Sequence, residues 1–234
     1  MTDTLNETVL ESVSGLTYRM RAGADVQGKS PCLILLHGVG GNEAGFVDLA
    51  RSLDPRLAVV LARGPIALGP AQFGWFQVNF TQAGPSINAE QAERSRRQLV
   101  SFIEQLPQLH AIDPDRIWIA GFSQGGIMSA SVALSAPTKA AGFGILSGRI
   151  LPEVLPAVQP GPALGQLRAF VSHGVQDQTL GIHFARNAKQ VLDGFGVPLA
   201  YHEYAAGHAL NPAMLDDFTQ WLGGQLDQSH AASI

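Results

Sequence analysis

From about residue 30 onward, short and almost wholly apolar runs alternate with longer segments in which apolar residues return every three or four positions. The apolar runs, at 32–36, 57–62, 117–120, 140–146, 167–172 and 198–204, predict β-strands. Being apolar throughout rather than at every second position, they fit strands covered on both faces, as in a parallel sheet. The segments between them, at 43–53, 89–106, 124–136, 181–195 and 214–222, predict helices. In the second of these, Asn88 can cap the start, with Gln91 three residues on as its capping-box partner. Leu99, Phe102, Ile103 and Leu106 form its apolar face, and Pro107 is expected to end it. Residues 7–21 read as two strands broken near Ser14-Gly15, an antiparallel addition at one sheet edge. The fold class expected is therefore α/β, with a mostly parallel central sheet and helices on both faces.

Two stretches break the alternation. Residues 64–85 are rich in Gly, Pro and aromatic residues (Phe73, Trp75, Phe76, Phe80), and residues 147–165 carry Pro152, Pro156, Pro160 and Pro162. Long loops in compact domains tend to be functional, so both are expected to wall a pocket.

At 234 residues the chain suits one α/β domain spanning 1–234, with about 1–7 and 224–234 as flexible tails. Hydrophobic residues make up 46% and charged residues 15%, which supplies a large core and argues against disorder. The net charge of −4, without a basic stripe, argues against a nucleic-acid partner. The polar, acidic start lacks the cationic and apolar regions of a secretory signal, and no apolar run is long enough to span a bilayer. The single cysteine, Cys32, lies within an apolar strand and is expected to be a buried, inert thiol. These features lead to the expectation of a cytoplasmic protein without stable membrane insertion. The sequence leaves room for a homodimer.

The candidate chemistry centres on Gly121-Phe122-Ser123-Gln124-Gly125, which has a strand before it and a helix-prone segment after it. A serine in a tight strand-to-helix turn, with small residues two positions to either side, is the pattern of a nucleophile elbow. Its general base should lie after the last strand, where His208 follows Gly207. Among the other histidines, His37 and His173 also end strands and stand near the same edge. His202 falls mid-strand, His183 within a helix, His110 after Pro107 and His230 in the polar tail. The supporting acid should end a strand between the serine and the base. Asp177 does so, against the weaker rivals Asp193, Glu153 and Glu203. A loop rich in glycine, His37-Gly38-Val39-Gly40-Gly41, follows the first parallel strand, where an oxyanion-hole donor is expected; the other expected donor is the backbone N–H of Gln124. His202 and His208 lack further ligands for a metal, and residues 38–41 lack the Lys-Ser/Thr of a phosphate loop. No metal or cofactor is expected.

Leu36-His37-Gly38-Val39-Gly40, Gly121-Phe-Ser-Gln-Gly-Gly126, Leu146-Ser147-Gly148, His173-Gly174-x-x-Asp177 and Gly207-His208 together resemble the small carboxylesterase/phospholipase family of the α/β-hydrolase superfamily. That family includes bacterial carboxylesterases, lysophospholipases and acyl-protein thioesterases. The resemblance runs from about residue 32 to residue 222. It implies an α/β-hydrolase fold, a Ser123-Asp177-His208 triad, and oxyanion-hole amides from Val39 and Gln124. The function expected is hydrolysis of small carboxylic esters through an acyl-enzyme. The alternatives are a thioesterase or lysophospholipase acting on longer acyl chains, and a hydrolase-fold binding protein without catalysis. Phe73, Trp75, Phe76, Ile150 and Leu151 are candidates to line the substrate pocket, although these five side chains fit an ordinary core equally well.

Overall fold

The structure is a computed structural model describing residues 5–24, 28–81 and 84–231. Among the described residues are twelve strands: β1 (Val9–Leu10), β2 (Thr17–Arg21), β3 (Ser30–Leu36), β4 (Ala58–Ala62), β5 (Ile66–Gly69), β6 (Gln72–Gly74), β7 (Val78–Thr81), β8 (Gly84–Ile87), β9 (Ile112–Phe122), β10 (Gly142–Leu146), β11 (Arg168–Gly174) and β12 (Leu199–Tyr204). The α-helices are α1 (Val47–Ser52), α2 (Ala89–Leu109), α3 (Gln124–Ser135), α4 (Pro162–Gln166), α5 (His183–Gly194) and α6 (Pro212–Ala231).

Eight strands form the central sheet in the order β1-β2-β4-β3-β9-β10-β11-β12. From β4 to β12 every pairing is parallel, whereas β1 and β2 add to the edge antiparallel. Side-chain alternation along the strands sorts the core into two layers. In β3, Cys32, Ile34 and Leu36 join the layer that holds Phe102 of α2, Met128 of α3 and Leu192 of α5. Leu33 and Leu35 join the other, with Ala50 of α1 and Phe218 and Leu222 of α6. Because both faces are covered, every residue of β3 and β4 is buried. This is why these strands read as continuous apolar runs.

Register places the strand ends that matter in one row. Leu36 pairs with Gly121, Leu146 with Phe122, Ser172 with Leu146 and Gly174 with Tyr204. The loops after β3, β9, β10, β11 and β12 therefore emerge side by side at the carboxyl edge, where open α/β sheets bind ligands.

Several local expectations are corrected. Helix α2 continues through Pro107 to Leu109, because only one turn remains and the missing N–H costs a single bond there. Asn88 caps α2 through the Gln91 N–H at 3.0 Å, but the Gln91 side chain accepts from the Gln77 N–H instead of completing a capping box. The segment 43–53 opens with a 3-10 turn (Glu43–Phe46) before α1. The aromatic stretch is not loop throughout: it folds into two hairpins, β5-β6 and β7-β8. The proline-rich stretch contains a 3-10 turn (Pro152–Ala157) and α4. Residues 224–231, expected as a flexible tail, belong to α6, and Leu226 is fully buried. Leu5 is buried as well. The remainder of the expected tails, 1–4 and 232–234, lies outside the described residues.

Candidate active site

The turn between β9 and α3 forces Ser123 into φ 53°, ψ −116°, a conformation that non-glycine residues rarely adopt. What holds it there is close backbone packing. The Ser123 N–H donates to the Leu146 carbonyl of β10 at 2.8 Å, and its carbonyl accepts from Ile127 of α3 at 3.0 Å. A Cβ on Gly121 would lie 2.5 Å from the Gly125 carbonyl carbon and 2.6 Å from the Leu36 oxygen, and a Cβ on Gly125 would collide with the same Leu36 carbonyl. The two glycines flanking the serine are thus needed for packing: β3, the elbow and the first turn of α3 meet with no room for a methyl group.

Asp177 and His208 reach the serine from neighbouring strands. The turn after β11 is knitted to the turn after β12 by Val175 N–H to the Tyr204 carbonyl at 2.8 Å and Gln176 N–H to the Ala206 carbonyl at 3.0 Å. Gly174 makes this approach feasible, since a Cβ there would lie 2.5 Å from the Gly207 oxygen. His208 Nδ1–H donates to Asp177 Oδ2 at 2.6 Å, and the Ser123 hydroxyl donates to His208 Nε2 at 2.9 Å. The Asp177 side chain is fully buried, while that of His208 is 18% exposed. Asp177 Oδ1 accepts from the Thr179 and Leu180 N–H groups at 2.9 and 2.8 Å, which orients the carboxylate. Phe122, one residue before the serine, lies 5.0 Å from the imidazole ring and bounds it on one side. Such a chain of hydrogen bonds can pass a serine proton to the imidazole and stabilise the imidazolium that forms.

The two other strand-end histidines take different places. His37 is buried, and burial pushes its pKa down, favouring the neutral ring. It accepts from the Gly64 N–H through Nε2 at 2.9 Å and donates through Nδ1 to the Gly38 carbonyl at 2.7 Å. His173 is fully buried with its pKa likewise lowered by burial. Its Nε2–H donates to the Leu180 carbonyl at 2.6 Å and lies 3.3 Å from Asp177 Oδ2, so it braces the turn that carries the acid. His202 stacks on Phe170, the His183 ring lies tilted beside Phe184, and His110 bonds the Tyr18 hydroxyl. The His230 side chain lies outside those described. Among the acid rivals, Glu203 pairs with Arg186 and Asp193 with Lys189, whereas Glu153 is exposed in the 3-10 turn.

The glycine loop after β3 is pinned from both sides: Gly40 N–H donates to the Phe73 carbonyl and Phe73 N–H to the Gly41 carbonyl, at 2.8 and 2.9 Å. Behind it, the Glu43 carboxylate accepts from Arg63 and Arg19. Burial raises the Glu43 pKa, but these hydrogen bonds outweigh it and hold the group at about 2. Val39 and Gln124 both line the cleft that contains Ser123. The Gln124 side chain has a role that sequence reasoning missed: Oε1 accepts from the Trp75 N–H at 2.7 Å and Nε2 donates to the Phe76 carbonyl at 2.6 Å. It ties the aromatic segment to the elbow. No local pattern signals this, because the partners are backbone atoms 48 and 49 residues away.

Beside Ser123 and Gln124, the cleft is lined by Val39, Phe76, Val78, Pro85, Ile87, Ile127, Arg149, Thr179 and Leu180. It is narrow, with a cavity volume of ≈ 20 Å³. Of the five expected pocket residues, only Phe76 stands on it. Trp75 is fully buried in the core, its indole N–H donating to the His37 carbonyl at 3.0 Å. Phe73 lies under the Arg63 guanidinium, 4.6 Å from it. Leu151 and Ile150 face two separate hollows, one against α2 and one against α5. The reason is geometric: consecutive residues leaving a strand point to different sides, so only part of each aromatic or apolar cluster can face the serine. Val78, Pro85, Ile87, Ile127, Arg149, Thr179 and Leu180 are the lining residues not singled out from the sequence.

A parallel sheet with an antiparallel edge, and a strained serine at its carboxyl edge facing a histidine and an aspartate from later strands, define an α/β hydrolase. Residues 24–224 match the model of the phospholipase/carboxylesterase family. The chain belongs to that family. It is 28% identical to acyl-protein thioesterase 1 of Eremothecium gossypii, over 92% of this chain and 97% of the relative. Its fold is similar to those of a Bacillus cereus carboxylesterase (TM-score 0.78, 21% identity, 91% and 96% of the two chains) and a Mesorhizobium loti carboxylesterase (TM-score 0.77, 23% identity, 93% and 99%). Among the described residues, no helix is long and apolar enough to cross a membrane.

Proposed function

We propose that the protein is a serine hydrolase that cleaves short-chain carboxylic esters through an acyl-enzyme. The observation that carries this reading is the hydrogen-bond relay from Ser123 through His208 to Asp177. As Ser123 Oγ attacks the ester carbonyl carbon, its proton passes to His208 Nε2, and Asp177 remains ionised beside the imidazolium. Charge then develops on the former carbonyl oxygen, which the backbone N–H groups of Val39 and Gln124 are assigned to hold. Collapse breaks the bond to the alcohol oxygen, which leaves with the proton from His208. Water repeats the sequence against the acyl-enzyme and restores the serine.

The preference for short acyl groups rests on the narrow, largely apolar cleft. A second reading, a thioester as substrate, is favoured by the thioesterase name of the Eremothecium relative. The cytoplasm remains the proposed location, on the reasoning from the single, buried cysteine. The test is covalent labelling by a fluorophosphonate together with turnover of oxygen esters and thioesters of graded acyl length. Labelling confined to Ser123, with kcat/KM highest for the shortest oxygen esters, supports the proposal. Absence of labelling refutes the serine-hydrolase reading, and a maximum on long-chain thioesters replaces the ester reading with the second.

A further inference from the structure

The strand end after β10 runs directly past the nucleophile. A Cβ on Gly148 would lie 3.0 Å from the Ser123 carbonyl oxygen. The next residue, Arg149, is the one charged side chain among the described residues that line the cleft. It also borders the adjoining hollow formed with Ile150, Phe184 and Val191, so it stands between the two spaces. Its guanidinium carbon lies 4.9 Å from the centre of the Phe184 ring, which fixes the side chain by stacking.

One of its donors, however, has no acceptor in the protein. The Nε–H is buried without a partner, and among the described residues Arg149 makes neither a hydrogen bond nor an ion pair. Arg63, Arg96 and Arg186 are each satisfied by a carboxylate; the Arg116 Nε–H is also buried without a partner, but Arg116 does not line the cleft. The nearest relevant charge, Glu153, is exposed in the neighbouring 3-10 turn and acts on Arg149 only through its field. Burial works against the charged form, yet a guanidinium keeps its proton throughout the ordinary pH range. A half-buried cation held in place with its Nε–H buried and unpaired costs stability unless an acceptor binds there.

We propose that Arg149 is a specificity-determining residue that binds a carboxylate on the substrate, so that the preferred substrates are half-esters of dicarboxylic acids. This rests on the serine-hydrolase reading above and narrows its substrate class. The planar, forked donor set suits a carboxylate, and the short reach of the cleft calls for that group a few atoms from the scissile carbonyl. The apolar lining formed by Phe76, Val78, Ile87 and Ile127 would pack the intervening methylenes.

The test compares 4-nitrophenyl butyrate with mono-4-nitrophenyl glutarate, which carries a terminal carboxylate in place of a hydrogen. The readout is the ratio of their kcat/KM values in the wild-type protein, Arg149→Met and Arg149→Lys. The wild type should favour the glutarate ester, and Arg149→Met should lower that ratio roughly 10- to 100-fold, the span of a charge-assisted hydrogen-bond pair. Arg149→Lys should fall between the two. A ratio unchanged in Arg149→Met, or a wild type with no preference for the glutarate ester, overturns the assignment. A second measurement needs no variant: free glutarate should slow fluorophosphonate labelling of wild-type Ser123 more than butyramide does, and less so as NaCl is raised. Equal protection by the two overturns the assignment even if Arg149→Met fails to fold. Labelling of Ser123 with turnover of neither ester counts against the ester reading alone, and the protection assay still judges Arg149.

Discussion

Replacing Asp177 by Asn tests the relay because the structure determines how the new amide must sit. Asp177 Oδ1 accepts from two backbone N–H groups, those of Thr179 and Leu180, and the Asp177 side chain is fully buried. If the Asn amide placed its NH₂ there, both N–H groups would face a donor, and the buried Leu180 N–H alone would cost about 1–3 kcal/mol. The carbonyl oxygen therefore keeps that position, and the NH₂ is turned toward His208 Nδ1. A donor facing Nδ1 forces the imidazole to carry its proton on Nε2. In that tautomer it can no longer accept the proton of the Ser123 hydroxyl, now 2.9 Å away. By analogy with the chymotrypsin-type serine proteases, the loss in kcat should be about 10⁴-fold. The side-chain volume is unchanged and both turn bonds are kept, so the thermal midpoint should fall by only a few degrees. The assay is steady-state hydrolysis of 4-nitrophenyl acetate, normalised to folded protein by circular dichroism and checked by the thermal midpoint. A kcat within tenfold of wild type, in protein that melts normally, would refute the argument that Asp177 sets the tautomer of His208.

Ser123→Ala should abolish ester turnover and fluorophosphonate labelling with the thermal midpoint close to that of the wild type, because alanine keeps the Cβ and with it the same backbone strain at a φ of 53°; stopped assays of the purified variant check this. Trp75→Ala should cost about 3–5 kcal/mol of stability, a fall of about 10 °C in melting temperature for a chain of this size, without changing the order of preference among esters of different length. Gly125→Ala should yield little folded protein, because the added methyl group meets the Leu36 carbonyl; soluble yield and near-ultraviolet circular dichroism report it. Glu43 is held at about 2 in the folded state, below its ordinary 4.5, so its contribution to stability is present above pH 4.5 and lost as pH falls toward 2. Glu43→Gln should therefore be less stable than wild type at pH 6, by up to about 3 kcal/mol, and the gap should close below pH 3 in urea melts.

The alternation of apolar runs with helix-period segments was enough to determine an α/β sheet covered on both faces, because parallel strands buried in both layers need continuous apolar sequence. Local chemistry also marked the elbow, since Gly121 and Gly125 exist to let three backbones touch at Ser123. Chain order then pointed to Asp177 and His208, which the tertiary structure brings into one hydrogen-bonded row with Ser123. Only the tertiary structure decided which side chains face the cleft. Trp75 and Phe76 are neighbours in sequence with the same apolar character, yet one seals the core and the other lines the cleft. Arg149 shows the same limit in the opposite sense. Nothing in Ser147-Gly148-Arg149-Ile150 marks it as unpaired, because that depends on which carboxylates and rings the fold brings near it. Periodicity and local motifs are properties of a few adjacent residues, whereas the walls of a pocket are set by contacts between segments far apart in the chain.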